Sequence, residues 1–422
     1  MNRDIVIKNG TLLLPDGAVK TAMFVHDGRI EAIGDGCTDA PGCCPETIDA
    51  SGCLVLPGLA DVHVHFREPG YSYKETIASG SMAAARGGFT CVCPMPNLNP
   101  APDSVGNIGK ELEIIERDAC IDVRPYATIT KGRKGLEVVD VASLKNLCVA
   151  FSDDGSGVQD DDIMREAMSE IAREDCILAA HCEDNRLLEG GYIHDGQYAA
   201  AHGHKGICSE SEWGQIARDV KLAEMTGCAY HVCHISTRES VEIIRRAKAR
   251  GVNVTCETAP HYLVLCDEDL QEDGRFKMNP PLRSREDREA LLEGLADGTI
   301  DMIATDHAPH SAEEKSRGLA SSAMGVTGLE CSFPILYSEL VKKGVITLER
   351  LVELMCSAPR RRFRLGGGRL EVGADADIAV FDISAPYTID PEVFASKGHS
   401  TPFEGREVFG KNVVTIYKGT VI

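Results

Sequence analysis

The chain has 422 residues with 44 basic and 65 acidic side chains, which gives a formal charge of −21. A hydrophobic fraction of 43% and a charged fraction of 26% are typical of a globular protein and exclude a disordered chain. The acidic charge argues against nucleic acid as a partner, because it repels phosphate. We find no apolar run that could span a membrane and no signal peptide, so we expect a cytoplasmic protein.

The two ends of the chain predict β structure, and the middle predicts a barrel. Residues 1–57 form short alternating strands with Asp-Gly turns, and residues 367–422 repeat this pattern in ADIAVFDI, YTI and NVVTIYKGTVI. Between them, over residues 58–366, eight apolar runs alternate with amphipathic helical stretches. We therefore predict an α/β fold, a (β/α)8 barrel of the TIM type with a small β-sandwich domain formed from both termini.

The 17 cysteines include no CxxC pair, and several lie inside apolar runs, where a thiol behaves as a small hydrophobic group. We expect reduced thiols, as in a cytosolic protein. Cys37, Cys43 and Cys44 cluster in a turn rich in glycine and proline. We interpret these three as loop residues rather than as a metal site.

Histidines and an aspartate stand at the carboxyl ends of the predicted barrel strands, which form the catalytic face of such a barrel. Run one ends in His63 and His65, whose imidazoles share a face because they are two residues apart in a strand. Runs five, six and eight end in His181, His234 and Asp306. Because buried polar groups are costly without partners, this pattern predicts a metal site.

Other histidines have competing interpretations. His231 lies three residues before His234, so strand parity predicts that one of them faces the site and the other packs outward. His202 and His204 lie in a polar, glycine-rich loop with no strand before them, which favours solvated loop residues. His261 follows Ala-Pro at the end of run seven and stays open between a site residue and a structural one.

Four motifs carry a resemblance to a known family. They are His63-Val-His65-Phe-Arg67-Glu-Pro-Gly70, Pro94-Met-Pro-Asn97, Met278-Asn279-Pro-Pro and Ala304-Thr-Asp306-His-Ala-Pro-His310. The chain resembles the type I dihydroorotases of the amidohydrolase superfamily over essentially its whole length. The resemblance implies zinc-dependent, reversible hydrolysis of the cyclic amide of (S)-dihydroorotate to N-carbamoyl-L-aspartate, the third step of UMP biosynthesis.

The resemblance also implies two zinc ions per subunit. His63 and His65 would hold the first ion together with Asp306, and His181 and His234 would hold the second. Imidazole and carboxylate groups are suitable zinc ligands, and open coordination positions make such a site catalytic. Asp306 would also move a proton from the attacking water to the departing nitrogen.

A bridging ligand between the two ions completes the implied site. Many relatives use a carboxylated lysine at the end of strand four, but this sequence has Ser152-Asp153-Asp154-Gly155 there, and type I dihydroorotases place an aspartate at this point. Asp154 is the predicted bridge, with Asp153 as the alternative. Lys131, the only nearby lysine that could be carboxylated, is interpreted as a solvated loop residue.

The substrate carries a carboxylate that needs its own site. Arg67 is the predicted clamp, because it lies two residues beyond His65 on the same strand face and a guanidinium group binds a carboxylate bidentately. A surface ion pair with Glu68 is the alternative. The substrate-binding residues implied by the resemblance are His65, Arg67, Asn97, Asn279, His310, Met324 and Gly325. The polar stretch 311–323 predicts a lid that closes over the substrate.

Two other functions compete with this hypothesis. Allantoinases and hydantoinases usually carry the bridging lysine and lack the arginine of the FREPG motif. A non-catalytic, dihydroorotase-like scaffold of aspartate transcarbamoylase would have lost ligand residues, whereas all predicted ligands are present here. We expect a homo-oligomer, and association with aspartate transcarbamoylase stays open for an active enzyme.

Overall fold

The computed structural model describes residues 4–39 and 45–422. Cys43 and Cys44, which the sequence predicts as loop residues, lie outside these ranges. Cys37 is half-buried in the short 3-10 turn Asp35–Asp39.

The strands of the described residues are, in chain order, β1 (Ile5–Leu14), β2 (Gly17–His26), β3 (Arg29–Ile33), β4 (Glu46–Asp49), β5 (Cys53–Pro57), β6 (Leu59–Val64), β7 (Phe89–Pro94), β8 (Asp122–Val123), β9 (Ile177–Ala180), β10 (Ile193–His194), β11 (Gly206–Ile207), β12 (Ala229–Val232), β13 (Val254–Thr258), β14 (Met302–Ile303), β15 (Ile378–Asp382), β16 (Tyr387–Thr388), β17 (Glu407–Val408), β18 (Lys411–Tyr417) and β19 (Thr420–Val421).

The α-helices of the same part of the chain are α1 (Ile77–Arg86), α2 (Val105–Asp118), α3 (Val141–Leu144), α4 (Asp161–Arg173), α5 (Gln197–His202), α6 (Glu210–Thr226), α7 (Arg238–Ala249), α8 (Pro260–Val264), α9 (Arg285–Ala296), α10 (Ala312–Lys315), α11 (Gly318–Ser321), α12 (Ser332–Leu336), α13 (Leu348–Val352) and α14 (Ala358–Phe363). Two π-helical turns, Tyr337–Val341 and Glu353–Ser357, follow α12 and α13. None of the described helices combines the length and the apolar character that a membrane crossing needs.

The middle of the chain forms a closed ring of parallel strands. One set is β6, β7 and β8, and the other is β9, β12, β13 and β14. Phe151 bridges in parallel to Ala127 and to Leu178, so it occupies the position of the fourth strand between the two sets. A parallel bridge between Val64 and His307 joins the eighth strand to the first. The predicted (β/α)8 barrel is confirmed.

The interior of the ring is filled by small and medium side chains. Val62, Cys93, Ala150, Ala179 and Met302 belong to one buried cluster, and β6, β7 and β9 are buried along their whole length. Strands enclosed on both faces need such continuous apolar runs. Polar side chains are therefore displaced to the ends of the strands, where the site lies.

The two termini meet in one sheet, with the strand order β19-β18-β15-β5-β1-β2-β3 and β4 paired to β1. Within it, β15 from the carboxyl-terminal part pairs antiparallel with β5 from the amino-terminal part, for example Ile378 with Pro57. This sheet has its own apolar core, which includes Ile5, Val25 and Ile416. The predicted β-sandwich from both termini is confirmed, whereas its limits at residues 57 and 367 stay predictions.

One predicted strand forms, but it lies outside the large sheet. The YTI segment forms β16, which pairs only with β17 in a separate two-stranded sheet. Pro386 precedes this strand and Pro391 begins the 3-10 turn after it. Proline cannot donate a hydrogen bond to a neighbouring strand, so the two prolines limit the length of this strand.

Candidate metal centre

The structure brings the predicted ligands together in two groups of three at the carboxyl ends of the barrel strands. His63, His65 and Asp154 form one group, and Asp154, His181 and His234 form the other. In each group the candidate ligand atoms lie within 4.8 Å of one another, and every member is buried. Asp154 belongs to both groups, so it is the side chain that the two groups share.

Two of the atoms that converge at Asp154 are unsatisfied within the described residues. Asp154 Oδ1 lies 3.4 Å from His63 Nε2, 3.5 Å from His234 Nε2 and 3.8 Å from His181 Nδ1. Within the described residues, this oxygen and His63 Nε2 are buried without a hydrogen-bond partner, whereas His234 Nε2 and His181 Nδ1 lie 3.0 Å from each other. Unpaired buried polar atoms are costly, and a cation bound between them would remove that cost. The donor set therefore fits a metal site.

Asp306 completes this centre from the eighth strand. Its Oδ1 lies 3.0 Å from His65 Nε2 and 3.6 Å from His63 Nε2. Its backbone is left-handed with φ of 47°, as is that of His234 with φ of 32° and Arg67 with φ of 60°. Non-glycine residues rarely adopt this conformation, and such strain is concentrated at functional sites, where the surrounding structure enforces it.

The charges of the centre favour ionised carboxylates. Burial by itself raises the pKa of the Asp154 carboxyl, but the surrounding imidazoles, foremost His63, hold that pKa well below its ordinary value. Burial acts in the same direction on Asp306, and the hydrogen bond from His65 again lowers the pKa of the carboxyl. Both side chains are therefore anionic near neutral pH, as metal ligands must be.

The two alternatives for the bridging position lie apart from the centre. Asp153 Oδ1 accepts hydrogen bonds from the backbone N–H groups of Ile129 and Thr130, and its Oδ2 accepts one from the Thr130 hydroxyl. Lys131 is exposed and pairs with Glu137. Of Asp153, Asp154 and Lys131, only Asp154 lies among the histidines.

Glu257 is a member of the site that the sequence analysis missed. It is buried in β13, and its Oε1 lies 2.7 Å from His63 Nδ1 while its Oε2 lies 3.1 Å from His231 Nε2. A carboxylate on one ring nitrogen orients the imidazole and directs the other nitrogen toward a metal. A charged residue inside an otherwise apolar strand run was the available signal.

The outward orientation expected for His231 was wrong. This side chain is fully buried inside the barrel, where it contacts Glu257 and packs against Phe363 at a ring distance of 5.0 Å. Strand parity does not relate His231 to His234, because β12 ends at Val232 and the backbone then turns left-handed.

Arg67 lies beside the histidine cluster, but the alternation of side chains along a strand does not place it there. The strand β6 ends at Val64, and the left-handed turn at Arg67 brings its side chain into the protein, where the residue is 9% exposed. The polar contact of its guanidinium is a 3.5 Å approach of Nη2 to His310 Nε2, and its Nε has no partner among the described residues. Glu68 instead accepts hydrogen bonds from Ser72 and the backbone of Ile77.

His310 is held in one tautomer by its neighbours. Its Nε2 lies 2.8 Å from the carbonyl oxygen of Met324 and donates to it, while its Nδ1 accepts a hydrogen bond from Lys74 Nζ at 3.1 Å. Burial, together with the charges of Arg67 and Lys74, lowers the pKa of His310 to about 3. The ring is thus neutral, with its proton on the nitrogen that faces Arg67. No sequence pattern pointed to Lys74.

The remaining predicted substrate-binding residues line the same side. Asn97 Oδ1 lies 2.9 Å from His65 Nδ1 and so orients a candidate ligand, and Asn279 donates to Glu183 at 2.9 Å. Gly325 has φ of 135°, and a Cβ there would lie 2.6 Å from the carbonyl oxygen of Ala308. Glycine is therefore required where this backbone approaches its neighbour.

The other histidines named by the sequence lie outside the two groups of ligands. His202 is exposed at the end of α5 rather than in a loop, and His204 is half-buried and contacts Tyr192 and Glu272. His261 is buried, its Nε2 has no partner in the described part of the chain, and burial lowers its pKa to about 4.

Comparison with known proteins gives close relatives over the full length of the chain. A family model described as Dihydro-orotase-like matches residues 52–240. The chain is 51% identical to the dihydroorotase of Geobacillus thermodenitrificans (strain NG80-2) and 51% identical to that of Bacillus caldolyticus, in each case over 99% of this chain and 98% of the relative. It is 49% identical to the dihydroorotase of Halalkalibacterium halodurans, over 99% and 97% of the two chains.

Solved structures share the whole architecture. The L-hydantoinase (dihydropyrimidinase) from Arthrobacter aurescens matches with a TM-score of 0.88 and 29% identity, over 100% of this chain and 96% of that one. A D-hydantoinase matches with a TM-score of 0.85 and 25% identity, over 99% and 95%.

A (β/α)8 barrel with a terminal β-sandwich and a buried cluster of histidines and aspartates at its strand ends is the arrangement of a cyclic amidohydrolase. The buried cluster is consistent with a metal site of the kind typical of that class. Within this class, identity of about half the residues to known dihydroorotases over the full chain identifies the family. The chain belongs to the dihydroorotase family.

Proposed function

We propose that the chain opens and closes the cyclic amide of (S)-dihydroorotate, with N-carbamoyl-L-aspartate as the other reactant, in the third step of UMP biosynthesis. The observation that carries this proposal is the pairing of two ligand groups around Asp154 with the buried Arg67 beside them. The first feature suits activation of an amide, and the second suits a substrate that carries a carboxylate.

Two zinc ions per subunit fit the donor set. His63, His65 and Asp306 would hold one ion, His181 and His234 the other, with Asp154 between them. When bound, such ions polarise the amide carbonyl and lower the pKa of a water molecule toward neutrality. Glu257 supports this proposal, because it fixes Nδ1 of His63 and leaves Nε2 free for a metal.

Asp306 is the proposed proton carrier. Its carboxylate is ionised and lies beside His65 and His63, so it can accept a proton from the attacking water. Passing that proton to the ring nitrogen converts the nitrogen into a neutral leaving group. In the reverse direction the same oxygen would take the proton from the attacking nitrogen.

The carboxylate of the substrate would bind to Arg67 and His310. Arg67 is a buried cation whose Nε has no partner among the described residues, and the neutral His310 ring lies beside it, held by Met324 and Lys74. Asn97 and His65, Asn279 and the backbone of Met324 and Gly325 are the further proposed contacts. A buried carboxylate held by a guanidinium group gains strong charge-assisted hydrogen bonds. Hydantoin, which lacks this carboxylate, would gain none of them.

A comparison of substrates tests the proposal. The purified chain should contain two zinc ions and should hydrolyse dihydroorotate in strong preference to allantoin and hydantoin. Faster hydrolysis of allantoin or hydantoin would refute it in favour of the other cyclic amidohydrolases. A chain that binds no zinc and turns over none of the three would instead be a scaffold.

We further propose a homo-oligomer, with aspartate transcarbamoylase as a candidate partner and the cytoplasm as the location. Known type I dihydroorotases motivate the first two proposals. The third is supported by the cysteines of the described residues, all of which are free thiols. Light scattering of the chain alone and mixed with the transcarbamoylase would test the assembly. A chain that stays monomeric and does not bind the transcarbamoylase would contradict both the homo-oligomer and the partnership.

A further inference from the structure

The segment after His310 contains a lysine that points into the protein. Lys315 is the last residue of α10, and its neighbours Glu313 and Ser316 form contacts at the surface. Lys315 itself is only 7% exposed. A buried ammonium group loses its hydration, so it needs strong partners to remain in place.

The partners of Lys315 are three backbone carbonyl groups. Its Nζ lies 2.7 Å from the oxygen of Gly325, 2.8 Å from that of Ala323 and 3.1 Å from that of Lys277. An ammonium group has three N–H donors, so each donor has one acceptor. Lys315 therefore has no donor left for a substrate, and its effect must pass through the backbone that it holds.

Those carbonyl groups come from two segments that are distant in sequence. Ala323 and Gly325 flank Met324, and Lys277 lies two residues before Asn279. The N–H of Gly325 also donates to the carbonyl oxygen of Lys277 at 3.0 Å. Lys315 thus fastens the segment around Met324 to the segment that carries Asn279.

Both segments belong to the proposed carboxylate site. The carbonyl oxygen of Met324 accepts the hydrogen bond from His310 Nε2, and Asn279 is held by Glu183, which contacts His181 at 3.7 Å. A shift of either segment would displace the groups that face the substrate. The strand β14 ends at Ile303, and the segment around Met324 meets the barrel only after Gly325, where Val326 bridges to His307.

We propose that Lys315 is a positioning residue, which holds the Met324–Gly325 backbone and the Asn279 segment in the arrangement that binds the substrate. This inference rests on the proposed function. It predicts an effect on substrate binding without loss of metal, because none of the three carbonyl groups belongs to a candidate ligand.

The test compares Lys315→Met with Lys248→Met. Lys248 also donates to a backbone carbonyl, that of Thr299 at 2.8 Å, and pairs with Asp301 at 2.6 Å, but it does so before β14, at the opposite end of the barrel from the site. Each variant loses a lysine that makes several hydrogen bonds, buried in the case of Lys315 and half-buried in the case of Lys248, so both substitutions should lower the melting temperature. Only Lys315→Met should raise KM for dihydroorotate, about tenfold or more, with kcat and zinc content nearly unchanged, as expected for lost binding.

Lys315→Gln provides a second variant, since a carboxamide keeps two of the three donors. Its KM should lie between those of the wild type and Lys315→Met. The inference would be overturned if folded Lys315→Met had the KM of the wild type. If the methionine variant is insoluble, an unchanged KM in folded Lys315→Gln would overturn it in the same way. An equal rise in KM in Lys248→Met would also overturn it. Absence of dihydroorotate turnover in the wild type would refute the proposed function instead.

Discussion

The proposed metal centre and the proposed carboxylate site lie side by side, but they are built differently. The candidate ligands come from the ends of hydrogen-bonded strands, and their positions follow from closure of the barrel. Arg67, His310 and Met324 lie beyond strand ends, and side chains such as Lys74 and Lys315 hold them in place. The fold itself positions residues at strand ends, whereas residues in loops need additional side-chain hydrogen bonds to hold their positions.

The largest effect is expected at Asp306, where ligand and proton carrier coincide. Asp306→Ala should lower kcat by about 1,000-fold or more, since general acid–base groups alone contribute up to about 10⁴. Circular dichroism should show an intact fold. Asp175→Ala removes an exposed carboxylate paired with Arg364 and serves as the control. Substantial activity in Asp306→Ala would refute the role of this residue.

The next prediction separates two adjacent aspartates. Asp154→Asn should reduce bound zinc below two ions per chain and abolish most activity, because the shared ligand loses its charge. Asp153→Asn should retain both ions and instead lower the free energy of unfolding by about 2 kcal/mol, since its carboxylate accepts backbone hydrogen bonds. Metal analysis with denaturant unfolding measures both. Loss of zinc only in Asp153→Asn would reverse the assignment.

A third prediction concerns the carboxylate site. Arg67→Ala should raise KM for dihydroorotate by about 30-fold or more, because truncation of one partner of a buried charge pair costs about 2–5 kcal/mol. Zinc content should not change, which distinguishes this region from the metal centre. Arg275→Ala, at an ion pair with Glu404 on the surface, is the control. If KM of Arg67→Ala equals that of the wild type, Arg67 is not the clamp.

The smallest of the four effects is expected at Glu257. Glu257→Gln keeps the shape of the side chain but removes the charge that orients His63, and partners of this kind typically contribute about 10–100-fold in metal affinity. Zinc competition with a chelator measures the change. Glu239→Gln, which alters an exposed carboxylate paired with Arg238, should have no effect. Equal zinc affinity in both variants would show that Glu257 only fills space.

The barrel and the candidate ligands could be predicted because their pattern is local. Apolar runs that alternate with helices indicate a parallel ring, and a histidine at the end of such a run must lie at its rim. Parity failed at His231, because the strand ends before His234 and the backbone conformation changes there. The prediction for Arg67 placed it on the strand face, whereas a left-handed turn brings it inward.

The supports of the carboxylate site could not be predicted from periodicity. Lys74 and Lys315 resemble surface lysines in the sequence, and their partners are up to 236 residues away. Only the packed fold reveals which lysine loses its solvent. The lid predicted for residues 311–323 stays a prediction, and deletion of the loop tip with unchanged kcat and KM would contradict it.

The sequence by itself determined the barrel, the terminal sandwich and the residue types at the strand ends, because hydrophobic alternation and backbone hydrogen bonding act over a few neighbouring residues. The tertiary structure alone decided which glutamate orients His63 and which lysine is buried. Those choices depend on contacts between segments distant in sequence, where burial and charge are properties of the assembled fold.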